Sequence, residues 1–111
     1  MSADKRRAPR LSKRFILRAA PLGEEPPRWS FVTIHNLSST GVLFTYDKPV
    51  YEGMRLRLKI DFPDRVIECL GRVVRLDGIR EGAARDVAAH LEGVSSGDRG
   101  FLEGFVQEFL P

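Results

Sequence analysis

The hydrophobic pattern of this chain has period two over most of its length and changes period once, near the C-terminus. Met54-Arg55-Leu56-Arg57-Leu58-Lys59-Ile60-Asp61-Phe62 alternates apolar and charged side chains without a break. Successive side chains of a strand point to opposite faces, so five apolar groups would share one face here and four charges the other. Phe15–Ala20, Trp29–Leu37, Gly41–Tyr46, Val66–Leu76 and the weaker Asp86–Glu92 are aromatic or β-branched runs that predict five further strands. Between them lie turn-forming segments: Pro21–Pro27, Ser38-Ser39-Thr40, Asp47–Gly53, Pro63-Asp64-Arg65 and Asp77–Arg85. Val66–Leu76 is apolar on both faces in places, the pattern of a strand partly covered by a helix.

The C-terminal segment has a helical repeat. Phe101, Leu102, Phe105, Val106, Phe109 and Leu110 fall on one stripe, which predicts a helix over about residues 97–110. Ser95, Ser96 or Asp98 can cap its start. Gly100 and Gly104 each cost about 1 kcal/mol relative to alanine, so the helix depends on packing its Phe-rich stripe against the sheet. Six short antiparallel strands and one terminal helix make the chain mainly β. They predict a small barrel, because closure removes the exposed sheet edges.

Composition narrows the picture. The 111 residues suit one domain, expected to span residues 15–111 after an N-terminal arm. No apolar run reaches the roughly 20 residues of a membrane span, and no apolar stretch follows the basic N-terminus as in a secretory signal. Cys69 is the only cysteine, which rules out an intrachain disulfide. These features point to a cytoplasmic protein. The net charge of +3 is unevenly spread. Residues 1–14 hold six basic side chains against Asp4, a net of +5, and leave −2 for the rest. They have no periodicity and predict a flexible basic arm suited to an anionic partner.

Two short motifs give that arm a chemistry. Arg6-Arg7-Ala8-Pro9-Arg10 reads RxxxR, and Asn36-Leu37-Ser38-Ser39-Thr40-Gly41 reads NxSxxG. Arg6 and Arg10 can reach one ligand together, and Pro9 biases Ala8 towards extended geometry. Each guanidinium can take two phosphate oxygens or the O6 and N7 acceptors of guanine. Asn36 can donate to and accept from a base edge. Ser38 offers a hydroxyl, and Gly41 permits close backbone approach. RNA, DNA and free nucleotides present the same acceptors, so the chemistry alone leaves the ligand open.

In this order, ahead of a run of short strands, the motifs resemble the PilZ domain, a bacterial receptor for the second messenger cyclic di-GMP. The family's RxxxR arm precedes its first barrel strand and its (D/N)xSxxG motif follows the second. Arg6, Arg10, Asn36, Ser38 and Gly41 fill all five positions. Gly41-Val42-Leu43-Phe44, Gly53-Met54-Arg55-Leu56 and Gly71-Arg72-Val73-Val74-Arg75 extend the likeness over nearly the whole chain. The chain departs from the family at Asn36, where Asp is frequent, and at Ala88-Ala89-His90-Leu91, where a Gly-x-x-Phe-like strand is common.

The resemblance implies a six-stranded antiparallel PilZ-type β-barrel with a C-terminal α-helix. It also implies cyclic di-GMP bound on the barrel's outside by Arg6, Arg10, Asn36, Ser38 and Gly41, with Arg7 and His35 as possible additions. No cofactor is implied. The partners would be cyclic di-GMP and an effector protein in motility, biofilm or surface-structure control. Two rivals stand beside this reading: a module of the same fold that binds protein but no nucleotide, and a small-barrel nucleic-acid binder.

Other residues are set aside. His35 and His90 lack neighbours at metal-ligand spacing, and Ser38 and Ser39 lack a nucleophile-elbow pattern. No catalytic site is expected. Asp61, Asp64 and Glu68 are assigned to a solvated hairpin, Trp29 to the core or a barrel end, and Cys69 to a buried small hydrophobe.

Overall fold

The computed structural model describes residues 15–79 and 84–109. The RxxxR arm, with Arg6, Arg7 and Arg10, lies outside the described residues.

Strands β1 (Ile16–Pro21), β2 (Ser30–Leu37), β3 (Gly41–Tyr46), β4 (Arg55–Phe62), β5 (Arg65–Ile79) and β6 (Arg85–Glu92) are followed by helix α1 (Ser96–Phe109). The strands close into an antiparallel barrel in the order β1-β2-β3-β6-β5-β4. Alternation along β4 accounts for the inside of the wall. Leu56, Leu58, Ile60 and Phe62 are buried, while Arg55, Arg57, Lys59 and Asp61 lie on the outer face. Leu17, Phe44, Tyr46, Ile67, Val73, Val87 and Leu91 complete the interior from the other strands. Gly71 faces this interior, where a Cβ would come within 2.6 Å of Leu58 Cδ1.

Helix α1 plugs one mouth of the barrel. Ser95 Oγ accepts from the Asp98 amide at 3.1 Å and so serves as its N-cap. Its stripe brings Phe101, Leu102 and Phe105 onto Phe15 and Phe62, with Phe62 ring centroids 4.8 Å from Phe105 and 4.9 Å from Phe101. Arg65 anchors the first turn, 3.1 Å from Asp98 and stacked 4.5 Å over the Phe101 ring.

The structure corrects several expectations. The helix covers the barrel's end and leaves the β5 face open, so Val66 and Val74 are exposed. Their apolar character reflects no helix above them. Strand β5 starts inside the expected Pro63–Arg65 turn and runs past the expected stop at Leu76, because β6 pairs with it as far as Ile79↔Arg85. Trp29 is half-buried on the outer face, outside the core, with the Lys59 ammonium 4.7 Å over its ring.

Three irregularities interrupt the register of the barrel wall: one between Asp77 and Ile79, where β5 and β6 end their pairing, and two further within the wall. In β2 the pairing with β3 shifts between Ile34 and Asn36, leaving His35 as an extra residue. In β5 the pairing with β6 shifts between Val73 and Arg75, leaving Val74 extra. Each is a β-bulge, which re-aims the side chains beside it.

Candidate ligand site

The bulges turn consecutive residues to the same side. Ile34 faces inward and is followed by His35 and Asn36, both exposed, before Leu37 returns to the core. Val73 is followed in the same way by exposed Val74 and Arg75 before half-buried Leu76. Strands β2, β3, β6 and β5 are contiguous in the wall, so the two bulges flank the β3–β6 pair. Between them lies an outer-face depression of about 400 Å³. Asn36 lines it from β2, Gly41 and Leu43 from β3, Ala88 and His90 from β6, and Arg72, Val74 and Arg75 from β5. Ser38 and Thr40 lie at its edge in the β2–β3 turn.

The structure thus brings Asn36, Ser38 and Gly41 into one pocket. Ser38 has a structural task there. Its Oγ accepts from the Gly41 amide at 3.0 Å and the Thr40 amide at 3.2 Å, and lies 3.3 Å from the Gly41 carbonyl. The Ser38 amide also donates to that carbonyl at 2.9 Å. This is hydroxyl turn chemistry, and a ligand oxygen would compete with Gly41 O for the Ser38 proton. The turn is tied to β6 by Leu91 N–H donating to Thr40 O at 2.8 Å, and to α1 by Arg99 Nη1 donating to Ser39 O. A Cβ on Gly41 would stand 3.2 Å from Ala89 O, so the close approach of β3 to β6 requires a glycine or a small shift.

His35 points elsewhere. Its Nε2 lies 2.6 Å from Thr45 Oγ1, which donates to Asp86 Oδ1 at 3.0 Å. It belongs to a polar row on β2, β3 and β6 next to the pocket and does not line the depression.

Three pocket residues escape a reading of the motifs alone: Arg72, Arg75 and His90. The Gly41↔His90 pairing sets the histidine beside the motif glycine. Arg72 Nε donates to Glu92 Oε2 at 2.8 Å, and Arg75 Nε donates to Asp77 Oδ2 at 3.0 Å. Bonds made through Nε steady a guanidinium near its stem and leave its Nη donors for a further acceptor. Two such arginines beside an amide and a backbone turn can hold phosphate oxygens and guanine edges together.

Glu92 has a second partner, Arg55 Nε at 2.8 Å from Oε1. The hydrogen bonds from Arg55 and Arg72 hold its carboxyl down at about 2, against an ordinary 4.5. A carboxyl depressed in the folded state stabilises the fold above its unfolded pKa, and that contribution is lost as pH falls through the folded one. Between about pH 4.5 and about 2 the melting temperature of the wild-type chain should therefore fall more steeply than that of Glu92→Gln. Thermal unfolding followed across that range checks this, and parallel curves would refute it.

Cys69 is half-buried, and burial raises its thiol to about 11. Among the described residues no group of three or more His, Cys, Asp or Glu side chains could hold a metal ion, and no helix is long and apolar enough to cross a membrane.

The family profile of the PilZ domain matches residues 4–108, which takes in both motifs and the whole barrel. This chain belongs to the PilZ family. Among solved structures, the PilZ chain is similar to the Bacillus subtilis inhibitor of motility MotI/DgrA, with a TM-score of 0.68 at 20% identity. The alignment covers 86% of this chain and 46% of that one, so the likeness establishes the fold and spans less than half of the neighbour. Among curated proteins no sequence matches significantly.

Proposed function

We propose that this PilZ domain binds cyclic di-GMP in the β2-β3-β6-β5 depression and relays the signal to a protein partner. One observation carries the reading. Two bulges turn Asn36 from one side and Val74 and Arg75 from the other onto a single outer face that also holds Ser38, Gly41 and Arg72. The ligand's two phosphates suit the Nη donors of Arg72 and Arg75, and its guanine edges suit the Asn36 amide. Leu43, Val74 and Ala88 supply an apolar floor.

The N-terminal arm would close the site. The register Leu17↔Val32 sets the start of β1 beside the Asn36 end of β2. Arg10 lies five positions before Phe15, a reach of about 17 Å when extended. Strands are spaced about 4.8 Å apart, so Arg10 can cross β2 and β3 to reach β6. Arg6 and Arg10 would clamp guanine and phosphate from above, and Arg7 would add a phosphate contact. The arm's ordering on the ligand would rebuild the surface that the partner reads. MotI/DgrA is an inhibitor of motility, which supports motility or surface-structure control as the output.

Calorimetric titration with cyclic di-GMP, GTP and a generic oligonucleotide tests this. The expected result is saturable binding of cyclic di-GMP and none of GTP. Salt-sensitive oligonucleotide binding without dinucleotide binding would favour the nucleic-acid reading. No heat from any of the three would leave a protein-binding module.

A further inference from the structure

Glu92 does not line the depression, yet it holds a residue that does. In the sheet register Arg55 on β4 stands directly opposite Arg72 on β5. Like charges so placed repel. Glu92, at the end of β6, is paired with Leu70 and reaches diagonally along β5 to bridge them. Its two oxygens are shared, Oε1 with Arg55 Nε and Oε2 with Arg72 Nε, both at 2.8 Å. One carboxylate therefore links three strands. Its side chain is 27% exposed, against 48% for Arg55 and 40% for Arg72, so it sits beneath the guanidiniums it joins.

We infer that Glu92 is the positioning residue for Arg72: it fixes the guanidinium through Nε so that the Nη donors face the depression, and Arg55 holds its other oxygen. This rests on the depression being the cyclic di-GMP site.

Arg55 has a necessary part. A lone carboxylate behind Arg72 would cancel that arginine's charge towards a phosphate. With two arginines on one carboxylate the cluster keeps a net +1. The anionic ligand then meets a donor that is both oriented and positive. The arrangement trades some attraction for order, because neutralising Glu92 would raise the cluster to +2 while releasing Arg72. The two effects separate by ionic strength. Attraction between exposed charges is screened by salt, with a Debye length of about 4 Å at about 0.5 M, whereas loss of orientation is not.

The test is a double-mutant cycle on the full chain, titrated with cyclic di-GMP at low salt and at about 0.5 M. At the higher salt Glu92→Gln should bind about 3- to 10-fold more weakly than wild type, the scale set by immobilising one rotamer-rich side chain. The deficit should shrink at low salt, where the added positive charge compensates. In an Arg72→Ala background Glu92→Gln should change nothing at the higher salt. The Arg72 Nε–H resonance, resolved in the wild type, should move or vanish in Glu92→Gln. Wild-type binding with Glu92→Gln unaffected would sink this inference alone, as would an equal deficit with and without Arg72. No binding by the wild-type chain would sink the receptor reading and this inference with it.

Discussion

A chain carrying Arg6→Ala and Arg10→Ala together should lose cyclic di-GMP affinity by about 100-fold or more while melting at the wild-type temperature. Hydrogen bonds to charged groups contribute about 1.5–3 kcal/mol each, so two lost clamps amount to about 3–6 kcal/mol. A factor of 100 corresponds to about 2.7 kcal/mol. Among the described residues the buried core begins at Phe15, and an unchanged melting temperature is the control for the fold. Arg→Lys at both positions should restore little, because lysine keeps the charge and loses the planar fork that takes two phosphate oxygens or O6 and N7 of guanine. Arg7→Ala should cost less than either. Calorimetry on the three variants, with melting curves as the control, checks the set. An effect under tenfold in the double variant would place the binding energy in Arg72 and Arg75 and remove the arm from the site.

How far each feature is legible in the sequence depends on how it is encoded. The unbroken alternation of Met54–Phe62 specifies β4 because a strand with one buried face needs period two, and the structure buries Leu56, Leu58, Ile60 and Phe62 accordingly. The helix announces itself by a change of period, and Ser95 turns out to be its cap. The motif positions Asn36, Ser38 and Gly41 are recognisable because they are close in sequence. Arg72, Arg75 and His90 are invisible to the same reasoning. On an outward position of a strand an arginine looks like any solvated charge. Only the order β2-β3-β6-β5, which inverts chain order, brings β5 round to the motif. The bulges left a faint trace. Ile34 and Leu37 both face inward three residues apart, as do Val73 and Leu76, and an odd spacing cannot be met by a regular strand. That trace marks where the face flips, and both flips border the pocket.

Phe62→Ala should lower the unfolding free energy by about 3–5 kcal/mol, the cost of truncating a core phenylalanine, from a total of about 5–15 kcal/mol for a domain of this kind. Phe62 is 5% exposed and is the hub of the helix-capped mouth. Its ring lies 5.6 Å from Phe15, 4.9 Å from Phe101 and 4.8 Å from Phe105. No single neighbour can fill the void, since Phe15 is held at the start of β1 and Phe101 and Phe105 by the helix. The effect should reach the site. Helix α1 donates from Arg99 to Ser39 O in the motif turn, and its stripe is what seats it there. A loosened helix would free that turn, so Phe62→Ala should also weaken ligand binding at temperatures where the barrel is still folded. Phe31→Ala is the contrast: at 74% exposure on β2 it should change stability by no more than about 0.5 kcal/mol. Urea unfolding followed by circular dichroism gives both numbers. A loss below about 1.5 kcal/mol for Phe62→Ala, well under the usual range for such truncations, would mean that the helix does not seal the mouth, and that its hold on the Ser38–Gly41 turn has another source.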